Sequence, residues 1–177
     1  MELNDAIILR KSIRVYKDTA VAREDLEQLI AAAQQAPSWK NSQTVRFYIV
    51  SSNEMLEKFK KTCLPQMNAA RCANASAIIV TAFEKGVSGF SDGEPDNDMG
   101  DHWGAFDLGL ATENILLKAT ELGLATLVMG IRDSRAIREL LNIPDSQQIA
   151  AVLAVGYAGT DPEKPARKDP EEIAAWF

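Results

Sequence analysis

Cysteine and histidine are scarce in this sequence of 177 residues, which contains two cysteines and one histidine. Cys63 and Cys72 lie apart and form no Cys-x-x-Cys pair, and His102 stands alone. A structural zinc site needs about four cysteine or histidine ligands, so we do not expect one here. Two thiols are also too few for the disulfide framework of a small secreted domain.

Long apolar runs and a basic leader are absent as well. No stretch reaches the roughly 18 apolar residues that a transmembrane helix requires, and Glu2 and Asp5 make the N-terminus acidic, unlike a signal peptide. The net charge is −6, which argues against general binding to nucleic acids or anionic membranes. We therefore expect a cytoplasmic protein with neither a nucleic-acid nor a membrane partner.

The composition is that of a folded globular protein, with 46% hydrophobic and 25% charged residues. The length suits one domain with a sizeable core, and neither an internal repeat nor a linker interrupts it. We predict a single domain over residues 1–177.

Hydrophobic periodicity predicts helices and strands that alternate along the chain. Predicted helices cover residues 3–9, 24–36, 54–61, 65–73, 102–122, 134–141 and 171–177. Predicted strands cover residues 46–50, 77–83, 126–131 and 149–157, with extended chain at 13–16 and a loop at 86–101. The helix at 102–122 is apolar on nearly every face, so we expect a second subunit to cover part of it. Asn53, and Asp133 or Ser134, are the predicted N-caps.

The first predicted helix is followed by a basic run, Arg10-Lys11-Ser12-Ile13-Arg14. Arginine offers a planar fork of hydrogen-bond donors, lysine a point charge and serine a short hydrogen bond, and all three suit a phosphate group. Backbone amides in a joint between helix and strand add further donors. The alternative is a solvated basic turn, because clusters of basic residues usually face water.

The helix predicted at 24–36 is followed by a second polar run, Pro37-Ser38-Trp39-Lys40-Asn41-Ser42-Gln43. Proline ends that helix. The amides of Asn41 and Gln43 carry both donors and acceptors, which matches the mixed edge of a flavin ring. The alternative is ordinary turn chemistry after a helix.

In this order and spacing, the two runs resemble the flavin-contacting segments of the nitroreductase family. Later landmarks of that family are matched by Arg46-Phe47, by residues 107–124 and 137–144, and by Val155-Gly156-Tyr157. The resemblance covers nearly the whole chain and depends on the ordered set of motifs. Thr44-Val45 stands where the family usually has Pro-Trp, which leaves the choice of substrate open.

The resemblance implies an α+β fold, with a mostly antiparallel sheet wrapped by helices, in an intertwined homodimer that binds one FMN at each of two interface sites. The phosphate would be held by Arg10, Lys11, Ser12, Arg14, Arg167 and Lys168, with Lys164 as the alternative to Lys168. The ring and ribityl chain would be contacted by Asn68 and Arg71 of the same subunit, and by Pro37, Ser38, Trp39 and Asn41 of the other. Met129 and Gly130 would lie over the flavin and offer a backbone N–H to N5.

The implied activity is a ping-pong transfer of hydride from NADH or NADPH, through flavin N5, to an electron-poor acceptor such as a nitroaromatic or a quinone. No catalytic side chain is needed, since the flavin carries the chemistry. Three alternatives stay open: a flavin store or sensor without turnover, a family reductase acting on activated alkenes or halogenated substrates, and a flavin-free interaction domain.

Three further features have two interpretations each. His102 is either a proton donor to the substrate or a capping or surface residue, and Trp39 either flanks the substrate or packs in the core or an interface. The acidic loop at 86–101 resembles a calcium loop only superficially, because Asn97 stands where such a loop needs glycine. We expect a solvated loop that, by the family resemblance, acts as a lid near the active site.

Overall fold

Seven helices surround a four-stranded antiparallel sheet in a computed structural model that describes all 177 residues. The helices are α1 (Leu3–Leu9), α2 (Arg23–Gln34), α3 (Asn53–Cys63), α4 (Gln66–Arg71), α5 (His102–Glu121), α6 (Ser134–Leu141) and α7 (Pro170–Ile173). The strands are β1 (Val45–Val50), β2 (Ala77–Glu84), β3 (Phe90–Ser91), β4 (Glu94–Pro95), β5 (Ala125–Met129) and β6 (Gln147–Gly156). The predicted α+β class, with a mostly antiparallel sheet wrapped by helices, is confirmed.

The sheet has the strand order β1-β2-β6-β5, and β3 pairs with β4 in a separate hairpin. Along β2 the side chains alternate between the two faces of the sheet, as strand geometry requires. Ile78 belongs to a core that also contains Phe59 of α3, whereas Ile79 belongs to a second core with Ile115 of α5. Helices therefore cover both faces of the sheet.

The segment after α1 extends the sheet beside β5. Ser12 forms a parallel bridge with Thr126, and the Ile13 N–H donates to the Thr126 carbonyl at 3.0 Å. Tyr16 is buried and its hydroxyl donates to the Ile13 carbonyl at 3.0 Å. The basic run is thus held at the edge of the sheet by backbone pairing on its C-terminal side.

Three local predictions are wrong in detail. The N-cap of α3 is Ser52, whose Oγ accepts a hydrogen bond from the Met55 N–H at 3.4 Å, so the helix starts one residue earlier than the predicted cap allowed. The loop at 86–101 contains the β3–β4 hairpin. The last predicted helix is limited to α7, because its capping box at Asp169 starts a single turn and no further apolar face supports it.

The long helix α5 is buried on one side and exposed on the other. Leu108, Ala111 and Ile115 pack into the chain, whereas Phe106 is 52% exposed. Gly104 allows the helix to approach β2, since a Cβ at this position would lie 2.3 Å from Cδ2 of Phe83. Close contact between α5 and the sheet therefore depends on having glycine, which has no side chain, at position 104.

Replacing Gly104→Ala should lower the free energy of unfolding by about 1–3 kcal/mol, because the added methyl group overpacks a rigid aromatic contact. Gly109→Ala in the same helix is the matched control, since its Cβ would meet no atom within 4 Å. That change should be neutral or stabilise by about 0.5–1 kcal/mol through helix propensity. Urea denaturation of both variants checks this, and equal stabilities would contradict the packing argument.

Candidate functional site

A small cationic cavity lies between the basic run and the C-terminal tail. Its volume is about 120 Å³ and none of its lining residues is hydrophobic. The lining residues are Arg10, Lys11, Ser12, Arg14, Pro162, Glu163, Lys164, Pro165 and Arg167. The predicted phosphate ligands from the two ends of the sequence are therefore brought together.

Backbone pairing and one lysine hold the tail against the basic run. The Gly159 N–H donates to the Val15 carbonyl at 2.8 Å, and Tyr16 bridges to Ala158. Lys164 Nζ donates at 2.9 Å to each of the carbonyls of Ile7 and Ile8, at the C-terminal end of α1. These contacts close the cavity on the side of the tail.

The cations of this cavity are only partly neutralised within the chain. Lys11 pairs with Asp161, and Arg10 Nε lies 3.8 Å from Glu113 Oε1. Arg14 forms no ion pair, and Arg167 donates only to the Pro165 carbonyl. Desolvation and the neighbouring guanidinium groups of Arg10 and Arg167 lower the pKa of Lys164. Because like charges crowd here, the cavity favours a multiply charged anion, and its donors and volume fit a phosphate monoester.

The second tail cation is Lys164. Lys168 is exposed, forms no hydrogen bond or ion pair, and does not line the cavity. The sequence alone could not separate the two, because both lie within three positions of Arg167. The hydrogen bonds from Lys164 to the carbonyls of α1 distinguish Lys164 from Lys168. They are tertiary contacts, which no local sequence pattern predicts.

A second group of predicted residues surrounds the end of β5. Asn68 is 4% exposed and its Nδ2 donates to the Ile131 carbonyl at 2.8 Å. Met129 points into the core, so only its backbone is available there, whereas Gly130 is exposed. Arg71, at the end of α4, is half-buried and has no hydrogen-bonding or ionic partner within the chain. The structure thus joins α4 to the loop after β5.

The third group, Pro37 to Asn41, contains a strained turn. Residues Trp39–Asn41 form a 3-10 turn, and Lys40, Asn41 and Gln43 have left-handed φ angles of 47°, 56° and 51°. The Ser38 hydroxyl accepts a hydrogen bond from the Gln43 N–H at 3.0 Å. Several non-glycine residues in this region cost about 1–3 kcal/mol each, and such strain concentrates at functional sites.

Trp39 belongs to an aromatic cluster on the first turns of α5. Its ring centroid lies 4.6 Å from that of Trp103, which in turn lies 5.5 Å from Phe106. The indole Nε1 of Trp39 is buried without a hydrogen-bonding partner. Trp39 packs against α5, as expected of a core or interface residue, but it lies in a polar segment, as expected of a residue beside the substrate. Both interpretations therefore stay open.

Asp107 and Ser88 are buried polar residues that the sequence analysis missed. Asp107 Oδ2 accepts hydrogen bonds from the Trp39 N–H at 3.0 Å and from the Ser88 hydroxyl. The only sequence signal was a carboxyl group on the buried side of an apolar helix. His102, by contrast, is exposed at the start of α5, where Asp101 is the N-cap, and its imidazole forms no hydrogen bond.

The basic cavity does not include the Pro37–Asn41 segment of the same chain. The described side chains contain no group of three or more residues placed to hold a metal ion. No helix is long and apolar enough to cross a membrane.

The sequence model of the Nitroreductase family matches residues 7–157. A protein of Archaeoglobus fulgidus, provisionally named NADH dehydrogenase/NAD(P)H nitroreductase, is 38% identical over 85% of this chain and 82% of its own length. The FMN reductase [NAD(P)H] of Bacillus subtilis is 29% identical over 92% of this chain and 68% of its own length. The crystal structure of a nitroreductase family protein from Clostridium novyi superposes with a TM-score of 0.77 and 29% identity, covering 93% of this chain and 89% of that one.

Neither cysteine is available as a nucleophile near neutral pH. Both thiols are fully buried, and burial raises the pKa of Cys63 and raises that of Cys72 to about 11. At about pH 8 the thiolate fraction of Cys72 should be about one in a thousand.

We therefore expect Ellman's reagent to label neither thiol of the native protein at about pH 8, because the reagent attacks an exposed thiolate. Both thiols should react at once in denaturant, which serves as the control. Rapid labelling of the native protein would contradict the burial of these side chains.

Proposed function

The chain belongs to the nitroreductase family, and from that premise we propose that it is an FMN-dependent oxidoreductase that takes hydride from NAD(P)H. The observation that carries this proposal is the cationic cavity, in which Arg10, Ser12, Arg14 and Arg167 converge. Its donors suit a phosphate monoester, and apart from two prolines every lining residue is polar or charged. The names of the Bacillus subtilis FMN reductase and the Vibrio harveyi NADPH-flavin oxidoreductase support the same cofactor and donors.

The residues assigned to FMN divide into two binding tasks. The cations hold the phosphate, with Lys164 in the place that the sequence analysis gave to Lys168. Arg71, Asn68 and the backbone at Gly130 are assigned to the ring and ribityl chain. This division gives the flavin one fixed end and one end exposed to substrates.

A second copy of the chain completes the site in this proposal. The cavity lacks the Pro37–Asn41 segment of its own chain, so we assign that segment to the flavin of the other subunit. The exposed apolar face of α1, with Ile7, Ile8 and Leu9 each at least 50% exposed, supports a homodimer because an apolar patch of this kind favours burial. We propose that each copy is a single domain and that the protein is cytoplasmic.

When bound, FMN supplies the hydride chemistry at its N5 atom. The protein's own part is to bind, orient and stabilise charge. Arg71 has no partner of its own, so its guanidinium is free to stabilise negative charge at the ring. Gly130 is exposed, and a Cβ at this position would meet no atom within 4 Å, while its carbonyl accepts a hydrogen bond from Arg132 Nη1 at 2.6 Å. Donor and acceptor would use the same place on the flavin in turn, as a ping-pong cycle requires.

The proposed acceptors are nitroaromatics, quinones and similar electron-poor molecules. The aromatic cluster of Trp39, Trp103 and Phe106 supports this class, because flat electron-poor rings stack on aromatic side chains. Activated alkenes and halogenated compounds belong to the same proposal as alternative acceptors.

The purified protein should show the absorption bands of oxidised flavin, and anaerobic addition of NADH or NADPH should bleach them. A bound flavin that neither donor reduces would favour a store or sensor over an oxidoreductase. A protein that stays colourless after incubation with FMN would contradict the cofactor assignment. Comparing the bleaching rates with NADH and NADPH identifies the preferred donor.

Replacing Arg10→Ala should weaken FMN binding by about 1.5–3 kcal/mol, the range for a hydrogen bond to a charged group. This corresponds to an increase in Kd of about 10- to 150-fold, measured by quenching of FMN fluorescence. Arg135→Ala is the matched control, since Arg135 is exposed on α6 and forms no ion pair. Lys164→Ala should weaken binding more than Lys168→Ala. Unchanged affinity in the Arg10 variant would contradict the phosphate assignment.

A further inference from the structure

A carboxyl group is buried in the first turns of α5 without a cation. Asp107 is 3% exposed, and no lysine, arginine or histidine pairs with it within the chain. The other residues that α5 buries are glycine, alanine, leucine and isoleucine. A carboxyl group in such surroundings is costly unless hydrogen bonds satisfy it, so its partners indicate why it is there.

The partners of Asp107 come from two separate loops. Its Oδ2 accepts the Trp39 N–H at 3.0 Å and also the Ser88 hydroxyl, and Ser88 is 1% exposed. Trp39 belongs to the strained segment 37–43, whereas Ser88 belongs to the loop 86–101. One oxygen atom therefore attaches both loops to the same turn of α5.

Two outer contacts join the same loops. Lys40 Nζ donates at 2.8 Å to Ser91 Oγ and at 3.0 Å to Asp96 Oδ2. These groups lie near the surface, where solvent and salt weaken them. The buried hydrogen bonds of Asp107 are shielded from both, so they provide the persistent part of the connection.

The loop 86–101 also packs against the aromatic cluster. Gly89 has a φ of 85°, and a Cβ at this position would lie 2.5 Å from Cδ1 of Trp103. Trp103 in turn packs against Trp39. The loop is thus anchored at Ser88, Gly89 and Asp96.

The segment 37–43 needs such anchors. Lys40, Asn41 and Gln43 keep left-handed backbone angles that ordinary side chains disfavour. Strained conformations of this kind persist only when the surroundings over-determine them. The Trp39 N–H to Asp107 bond lies directly before the first of these residues and restrains the entry to the turn.

We propose that Asp107 is a positioning residue that fixes the segment 37–43 and the loop 86–101 to each other, and thereby shapes the surface on which the electron acceptor lies. This inference rests on the proposed function, which assigns the segment 37–43 to the flavin ring. In this proposal Asp107 makes no direct contact with substrate or cofactor, although it lines a cavity beside Pro37 and Ser38. It acts through Trp39 and Ser88.

The test uses the full-length protein with FMN bound and three variants. Asp107→Leu removes the hydrogen-bond acceptor while keeping a side chain of similar shape. Asp107→Asn can place its amide oxygen where Oδ2 of Asp107 lies. Glu121→Gln is the control on the same helix, since Glu121 is exposed and pairs only with Lys118.

In a ping-pong cycle, kcat/KM for an electron acceptor reports only the half-reaction with that acceptor. We compare menadione, which needs a defined place on the ring, with ferricyanide, which takes electrons without one.

For Asp107→Leu, kcat/KM with menadione should fall about tenfold or more, because small displacements of a binding surface are costly. With ferricyanide it should change by less than about twofold. Asp107→Asn should stay within about threefold of the wild type with both acceptors. A parallel loss with both acceptors, or an Asn variant as impaired as the Leu variant, would overturn the proposal. If the wild type reduces neither acceptor, the proposed function itself fails.

Hydrogen–deuterium exchange supplies a readout that does not depend on turnover. In Asp107→Leu, peptides covering 37–43 and 86–91 should both exchange faster than in the wild type, while a peptide from β6 should not change. Faster exchange in only one of the two loops would contradict the shared anchor. Should Asp107→Leu fail to fold, Ser88→Ala is the substitute, since it removes one of the two hydrogen-bond donors to Asp107. It should lower kcat/KM with menadione more than with ferricyanide, by a smaller factor than Asp107→Leu. Equal effects of Ser88→Ala on menadione and ferricyanide would then overturn the proposal.

Discussion

Seven consecutive residues of β2, from Ala77 to Phe83, are buried, which means that the sheet needs a helical layer on each face. α3 and α6 supply one layer and α2 and α5 the other. This burial fixes where polar chemistry can occur. The cationic cavity, the loop after β5 and the strained turn before β1 all lie where the sheet or a helix ends, so that the core positions them without including them.

The sequence predicted the existence and type of every long element, because hydrophobic periodicity is a local property. The helices now seen as α2, α3, α5 and α6 and the four main strands were found within a few residues of their bounds. The weaker predictions were those without a periodic face. The last helix was predicted too long, and the cap of α3 was displaced by one residue, because Ser52 and Asn53 are both good capping residues by type alone.

The candidate site was predictable where a family motif carried it, and not where a tertiary contact decided. Arg10, Ser12, Arg14 and Arg167 were found from their order along the chain, and they line one cavity. Lys164 was separated from Lys168 only by its bonds to the end of α1. Asp107 carried no motif, and its importance follows from burial and from partners far away in sequence. The features of the site that depend on contacts between distant segments therefore could not be predicted from residue patterns.

Arg10 and Arg167 line the same cavity although 157 positions separate them. The order of biosynthesis has a consequence for this site. A nascent chain has already made the basic run, and even the whole sheet, before the ribosome adds the tail that closes the cavity. In the proposed site, the FMN phosphate would meet its full set of cations only after the tail residues Lys164 and Arg167 have been made. In the same proposal, a chain cleaved after β6 would keep its buried cores but lose Lys164 and Arg167, and with them part of its affinity for the phosphate of FMN.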